Sequence, residues 1–217
     1  MTKSGCCMAI DSGSEKPNRS SRRRAKSRAA LLQAARETMS VKGVDATTIA
    51  DITEAADLGF GTFYNHFKSK EEIVDAAMAD MVERLGDEID ELIAPIDDPF
   101  FAQIVAWHQV VSLTVSEPIW GWFVLRSSRT LNMLNEGLMV RFRRDVEKAI
   151  EAGDFVVSDI DVVANLVGGG VLSLVNARLS GVIDDAQVSE GLALLVTHLG
   201  ITPEKARKLI AKPIPSL

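Results

Sequence analysis

The chain has 217 residues with a formal net charge of −6, and its 47% hydrophobic content suffices for a substantial core without covalent cross-links. Its two cysteines, Cys6 and Cys7, are neighbours, and no His or Cys cluster at ligand spacing accompanies them, so the sequence predicts neither a disulfide scaffold nor a metal site. Because no apolar run approaches the roughly 20 residues of a membrane span and the leader has no signal-peptide pattern, we expect a cytoplasmic protein without a membrane partner.

The front of the chain combines a polar leader with a basic helix. Residues 1–20 mix Ser, Gly, Lys and Pro without apolar periodicity, which predicts a disordered tail. A helix is expected from about Ser21 to Lys42, where Gly43 ends it. Residues 19–42 carry eight Lys or Arg against one Glu. Since phosphate neutralisation dominates DNA affinity, this charge predicts that the front of the chain binds nucleic acid.

Two short helical patterns around a glycine-bearing turn follow in residues 47–70. Thr48 and Asp51 have the spacing of a capping box, which predicts a helix from about Thr48 to Ala56. Residues three and four apart share a helix face, and the inner face of this helix carries Ile49, Ile52 and Ala56. We therefore expect it to pack on its neighbours through that face.

A second short helix is predicted over residues 59–67. Phe63 and Phe67 are four apart and should pack inward. Its other face carries uncharged polar and aromatic groups, namely Phe60, Gly61, Thr62, Tyr64, Asn65 and His66. A solvated helix usually carries Lys and Glu there, so we interpret the pair as a helix-turn-helix unit whose second helix enters the major groove.

The rest of the chain is predicted to be helical. Ser69 and Glu72 repeat the capping-box spacing and begin a long helix that Pro95 ends. Further helices are expected over residues 99–116, 118–126, 128–152, 159–180, 185–199 and 203–211, without a convincing strand pair. The predicted fold class is all-α, with a three-helix DNA-binding domain over residues 21–69 and a helical ligand-binding and dimerisation domain over residues 70–217.

The helix over residues 159–180 is apolar around most of its circumference and should be buried on more than one side. Together with Val188, Leu192, Leu195 and Leu199 on the next helix, it predicts a four-helix interface between two copies of the chain. The glycines at 168–170 cost about 1 kcal/mol each relative to Ala inside a helix. Either a neighbouring helix or a ligand approaches closely there, or the helix breaks locally.

The string GTFYNHFKSKEEIVDAAM at residues 61–78 resembles the recognition-helix signature of the tetracycline-repressor (TetR) family of bacterial transcription regulators. The resemblance is dense over residues 25–81. It implies a homodimer paired through its last two long helices, here about 159–180 and 185–199, on a palindromic operator of double-stranded DNA. It implies phosphate contacts by Thr47, Thr48, Thr62, Tyr64, His66 and Lys70, and base contacts by Phe60, Gly61 and Asn65.

The Arg22, Arg23 and Arg24 run is a further candidate DNA contact. We favour an arm that follows phosphates or enters the minor groove. The alternatives are a solvated start to the first helix or a generic basic tail.

The central helices hold most of the remaining aromatic residues, in the segment where members of the family bind small molecules. Although most such residues are ordinary core, their clustering with a few polar groups favours a ligand cavity. The candidate lining comprises Trp107, His108, Trp120, Phe123, Arg126, Met133, Asn165 and Leu172.

An enzyme is disfavoured because the sequence has no glycine-rich phosphate loop, no nucleophile motif and no metal-ligand spacing, and no cofactor is expected. We expect a repressor released from its operator by an unidentified apolar or amphipathic effector. The alternatives are an activator of the same family and a ligand-binding helical protein without DNA function.

Overall fold

The computed structural model describes residues 19–116, 121, 134 and 136–217. Within these residues the chain is helical and contains no strand, which confirms the all-α class. The helices are α1 Arg19–Lys42, α2 Ile49–Ala55, α3 Phe60–Tyr64, α4 Lys70–Ile93, α5 Pro99–Ser116, α6 Leu138–Glu151, α7 Ile160–Leu179, α8 Asp185–Val196 and α9 Pro203–Ile210. The predicted tail up to residue 18 and the predicted helix over 118–126 lie outside the described residues, apart from residue 121.

Two predicted helix boundaries were wrong. Arg19 and Ser20 are already helical, so these two residues belong to the first helix and not to a tail. The second helix of the helix-turn-helix unit ends at Tyr64 instead of residue 67, because the Asn65 N–H closes the last turn on Gly61 and Phe63 and the chain then turns. Helix α3 is therefore only five residues long.

The predicted capping box at the start of α2 is confirmed. The Thr48 hydroxyl accepts from the Asp51 N–H at 3.2 Å, and the Thr48 N–H donates to the Asp51 carboxylate at 2.9 Å. Lys42, the last residue of α1, reaches the same carboxylate at 2.7 Å. Asp51 thus fixes both the start of α2 and its contact with α1.

The front core joins α1, α2, α3 and the first half of α4. Its buried members are Leu31, Leu32, Ala34, Ala35, Met39, Ile52, Phe63, Phe67, Ile73, Val74, Ala77 and Met78. Arg36 of α1 forms an ion pair with Asp80 of α4 at the edge of this core. The predicted inward packing of Phe63 and Phe67 is confirmed.

A second core fills the body of the molecule. Helix α5 packs against α7, α8, α9 and α4, and α6 packs against α4 and α7. In the second half of α4, Leu85 and Ile89 are buried. Helix α4 therefore has buried residues along both halves, the first within the front core and the second beside α5 and α6.

Helix α7 runs unbroken through its three glycines, which leaves close approach of a neighbouring helix or a ligand as the explanation for them. A Cβ at Gly170 would collide with Leu195 of α8, and a Cβ at Gly191 of α8 would collide with Leu174 of α7. The glycines thus allow two helices to approach closely.

One face of α7 is buried within the chain, whereas Val162 and Leu166 on another face are 54% and 52% exposed. Val188, Leu192 and Leu199 are buried in the core of the same chain. The expectation that they face a second copy was therefore wrong, because this chain already covers them.

The sequence-based expectation about apolar length also needs correction. Helix α7 has 20 residues and a mean hydropathy of 1.6, which is long and apolar enough to cross a membrane by length and composition. It packs, however, against α5 and α8, and a helix of this kind is equally typical of a helical core.

The C-terminal segment is tied to the middle of α5. The Gln109 carboxamide, which is 3% exposed, donates to the Pro215 carbonyl at 2.6 Å and accepts from the Leu217 N–H at 3.4 Å. Leu217 also lines a groove with residues of α1 and α4. The segment thus runs from the body to the edge of the front core.

Candidate nucleic-acid interface and ligand cavity

Helix α3 presents an uncharged outer face to solvent. Phe60 and Tyr64 are 53% and 57% exposed, whereas Phe63 between them is fully buried. Gly61 and Asn65 are also exposed, and Thr62 is half-buried. A Cβ at Gly61 would meet no atom within 4 Å, so the backbone there is open to an approaching molecule. The outer face is the one predicted from the helical period.

Thr47 does not belong to this surface. It is 1% exposed, its hydroxyl donates to the Gly43 carbonyl at 2.8 Å, and its N–H donates to the same oxygen. Both of its donors are therefore used inside the domain, and its prediction as a phosphate contact was wrong. Thr48 is exposed beside it.

His66 faces α1 instead of the outer side of α3. Its Nε2 lies 2.8 Å from the Ser27 hydroxyl. Burial lowers the pKa of the imidazole, and the positive charges of Arg24 and Arg28 lower it further. The ring therefore fastens the turn after α3 to α1, which corrects its prediction as an outward contact.

The basic candidates lie on α1 and at the start of α4. Arg22, Arg23 and Arg24 are exposed in the first turns of α1, so in this state they form part of a helix and not a separate arm. The Lys70 ammonium donates to the Asp45 carbonyl at 2.8 Å and is half-buried. Both groups lie within the basic front domain.

A cavity of about 570 Å³ opens between α4, α5, α6 and α7. Three predicted lining residues, Trp107, Asn165 and Leu172, lie on its wall. Asn165 is exposed, and its amide donates to the Asp161 carbonyl of its own helix at 2.8 Å. This volume lies within the usual range for small-molecule sites.

His108 lies away from the lining of this cavity. Its Nδ1 lies 3.2 Å from the Ser112 hydroxyl, and burial lowers the pKa of its ring although the Asp185 charge opposes that shift. Its prediction as a lining residue was therefore wrong. The candidates Trp120, Phe123, Arg126 and Met133 lie outside the described residues.

The wall is mainly apolar. Besides Trp107 and Leu172, its apolar members include Ile89, Ile93, Ala106, Val110, Leu138, Met139, Phe142, Val167 and Val171. Gly168 and Gly169 of α7 also line it. These glycines thus place helix backbone at the cavity surface. This supports the alternative in which a ligand approaches the helix closely at the glycines.

Sequence reasoning missed a charged network at the cavity. Arg141 of α6 contacts three carboxylates of α4, with distances of 3.0 Å to Glu83, 2.6 Å to Asp87 and 3.4 Å to Asp90. A Cβ at Gly86 would come within 2.6 Å of the guanidinium carbon, so the guanidinium rests against the α4 backbone.

The same network continues along α6. Arg144 binds Asp90 at 2.8 and 3.1 Å and Asp145 at 2.8 Å. Asp90, Arg141 and Asp145 line the cavity. The charged residues of the network are three or four apart along α4 and along α6, which places them on one face of each helix. In a sequence, charges at this spacing usually indicate a solvated surface, so they did not predict a cavity wall.

Within the described part of the chain, no group of three or more His, Cys, Asp or Glu residues is arranged to hold a metal ion.

Comparisons with known proteins agree with this geometry. Residues 31–77 match the family model of bacterial regulatory proteins of the tetR family, and residues 98–212 match that of a tetracyclin repressor-like C-terminal domain. The crystal structure of RolR in complex with resorcinol superposes with a TM-score of 0.77 at 30% identity, covering 89% of this chain and 97% of RolR.

Two relatives are named as HTH-type transcriptional repressor KstR2. The protein of Mycolicibacterium smegmatis is 33% identical over 69 residues, which cover 32% of this chain. That of Mycobacterium tuberculosis is 26% identical over 132 residues, which cover 51% of this chain. The alignments span only 34% and 66% of those two proteins, respectively.

The Asp51 capping site predicts a pH-dependent stability. Hydrogen bonds from Lys42 and Thr48 lower the pKa of the Asp51 carboxyl from 3.8 to about 2. Its stabilising effect is therefore present above the unfolded pKa and is lost as the pH falls toward 2. The melting temperature of Asp51→Asn should be lower than that of the wild type at pH 7, and the difference should disappear between pH 4 and pH 2.

Glu54→Gln, at an exposed position on the same helix, is the matched control. Its melting temperature should follow that of the wild type over this interval. A gap for Asp51→Asn that is the same at pH 7 and pH 2 would contradict the assignment.

Proposed function

Because the chain belongs to the TetR family of bacterial regulatory proteins, we propose that it is a transcriptional repressor that binds a palindromic operator as a homodimer and releases it when a small molecule occupies the cavity. Residues 21–69 and the start of α4 form the DNA-binding part, and residues 70–217 hold the ligand and pair the subunits. The repressor names of the KstR2 relatives favour repression over activation.

The outer face of α3 carries this proposal. Phe60 and Tyr64 are more than half exposed, while Phe63 behind them is buried in the front core and anchors the helix. In the proposed complex, Phe60 packs on a thymine methyl, and Asn65 pairs with an adenine edge. Gly61 admits the DNA backbone closely.

The phosphate contacts come from the groups around α3. Tyr64 and Thr62 supply hydroxyls. Thr48 and Lys70 exchange their present acceptors, the Asp51 carboxylate and the Asp45 carbonyl, for a phosphate. The first turns of α1 bring Arg22, Arg23 and Arg24 to the same strand. These contacts set the register, whereas base contacts select the sequence.

Operator binding tests these roles separately. Lys70→Ala should weaken binding to every sequence and reduce the slope of log K against log salt by about 0.9. Tyr64→Ala should also weaken binding to every sequence. Asn65→Ala should relax the preference at one base pair by about 1–3 kcal/mol. The measurement is fluorescence anisotropy over a set of single-base operator variants from the upstream region of its own gene.

Val156→Ala is the control, since this exposed valine lies in the body. Equal losses on all operator variants for Asn65→Ala and Tyr64→Ala would remove Asn65 from the base-reading set. A wild-type protein that shifts none of this DNA would contradict the repressor and leave a ligand-binding helical protein.

We place the dimer interface on the exposed apolar side of α7 and α8. Val162 and Leu166 on α7 and Leu194 on α8 are each more than half exposed in the single chain. A two-fold pairing that covers them would hold the two α3 helices about one DNA turn apart, roughly 34 to 36 Å, which matches adjacent half-sites of a palindrome.

Leu166→Glu should dissociate the dimer because it places a charge in an apolar contact. Sedimentation should then report a monomer, and affinity for the palindrome should fall to that of one half-site. Val156→Glu, which changes a more exposed apolar residue elsewhere in the body, should remain dimeric. If Leu166→Glu also remains dimeric, the interface lies on another face.

We propose that the effector is a small aromatic molecule with hydroxyl groups, of the kind that RolR binds as resorcinol. The apolar cavity wall suits an aromatic ring, and the Asp90, Arg141 and Asp145 side chains supply polar atoms for hydroxyls. A ligand releases DNA only by preferring the conformation that does not bind it.

Addition of resorcinol to the repressor–operator complex should lower DNA affinity in proportion to cavity occupancy. Anisotropy at increasing resorcinol measures the release, and calorimetry on the free protein measures occupancy. Saturation of the cavity without a change in operator affinity would contradict effector control while leaving DNA binding intact.

A further inference from the structure

Helix α5 carries two buried glutamines that differ in the hydrogen bonding of their carboxamides. Gln103 and Gln109 are 4% and 3% exposed. Both ends of the Gln109 carboxamide are bonded to the C-terminal segment. The Gln103 carboxamide, in contrast, has no hydrogen-bond partner among the described residues, and it lines the cavity. Because buried side-chain amides are nearly always paired, this one indicates a missing partner.

Gln103 lies where two spaces meet. The main cavity adjoins a smaller cleft of about 360 Å³ between the end of α4, the start of α5 and α6. Gln103, Asp90 and Asp145 line both spaces. Carboxamide and carboxylate groups therefore converge on one part of an otherwise mainly apolar wall.

The four ionisable side chains that line this wall within the described chain have no net charge. The ionisable residues that line the cavity within the described chain are two arginines and two aspartates, Arg141, Arg143, Asp90 and Asp145. Arg141 is paired with α4 carboxylates, Arg143 with Asp161, and both aspartates with Arg144. With their partners these groups comprise three arginines and five carboxylates, and every arginine is already paired, so the arrangement disfavours an anionic ligand.

We infer that Gln103 selects the effector by hydrogen bonding a hydroxyl group on an uncharged aromatic ligand, an inference that rests on the proposed effector-controlled repressor. The carboxamide oxygen accepts the hydroxyl proton, or the amide N–H donates to the hydroxyl oxygen. Trp107, one turn further along α5, lines the same cavity and supplies an apolar surface for the ring. An analogue without the hydroxyl would leave the carboxamide unpaired, which disfavours its binding.

The test uses two probes of nearly equal shape, resorcinol and m-xylene, in which methyl groups replace the hydroxyls. By calorimetry on the full chain, the wild type should prefer resorcinol. Gln103→Leu, a change of similar volume, should reduce that preference about three- to tenfold, because it removes one hydrogen bond between neutral groups. Its melting temperature without ligand should stay equal to or above that of the wild type, since the amide has no protein partner to lose.

Gln109→Leu is the matched control on the same helix. It should lower the melting temperature, because it leaves the Pro215 carbonyl and Leu217 N–H without their partner. Its preference for resorcinol over m-xylene should equal that of the wild type. The two variants thus separate a ligand-binding role from a structural one.

Three outcomes would overturn the inference. Gln103→Leu could keep the wild-type preference, it could lose as much thermal stability as Gln109→Leu, or the wild type could bind resorcinol no better than m-xylene. Failure of the proposed function is distinguished separately by operator binding of the wild-type protein, which does not depend on either probe.

Discussion

The contact of Arg141 with helix α4 joins the wall of the cavity to the helix that also supports α3. The guanidinium rests on Gly86, where no side chain intervenes, and reaches carboxylates on both sides of it. Helix α4 is continuous over 24 residues, about 36 Å at 1.5 Å per residue. Its first half is part of the front core that supports α3, and its second half lines the cavity. Movement at the Arg141 contact is therefore transmitted through one hydrogen-bonded element.

The contact between Arg141 and α4 consists of ion pairs that other polar groups can replace. The carboxylates of Glu83 and Asp87 are largely exposed, and ion pairs of exposed groups contribute little individually. The front core, by comparison, consists of fully buried apolar side chains such as Leu31 and Phe63. Under the proposed function, a ligand that competes for the polar atoms of α6 would act on these ion pairs and not on the packing behind α3.

Periodicity predicted the features that lie within one helix. The inward and outward faces of α3 and the capping box of α2 depend on residues three or four apart, so they can be read from a short stretch of sequence. His66 was misassigned because its partner, Ser27, lies 39 residues earlier on another helix. Thr47 was misassigned because its hydroxyl turns back to Gly43. Neither contact leaves a periodic signal.

The cavity was harder to predict for a related reason. Aromatic clustering identified Trp107, but the acid and base groups at the wall resemble the solvated faces of two amphipathic helices. Only the packing of α6 on α4 turns those faces toward each other. For α7, the sequence correctly indicated a largely apolar helix but not which of its faces is buried. Composition alone does not distinguish a face covered by this chain from a face that it leaves exposed.

The three successive glycines of α7 have different surroundings. Gly170 faces Leu195 of α8, Gly168 faces Met139 of α6, and a Cβ at Gly169 would meet nothing within 4 Å although that residue lines the cavity. If the cavity holds an effector as proposed, single substitutions at Gly169 would change the size limit on that ligand without disturbing the contact between α7 and α8. A lineage of regulators, or an engineer building a biosensor, would then be able to narrow the range of inducers one methyl group at a time while the scaffold stays the same.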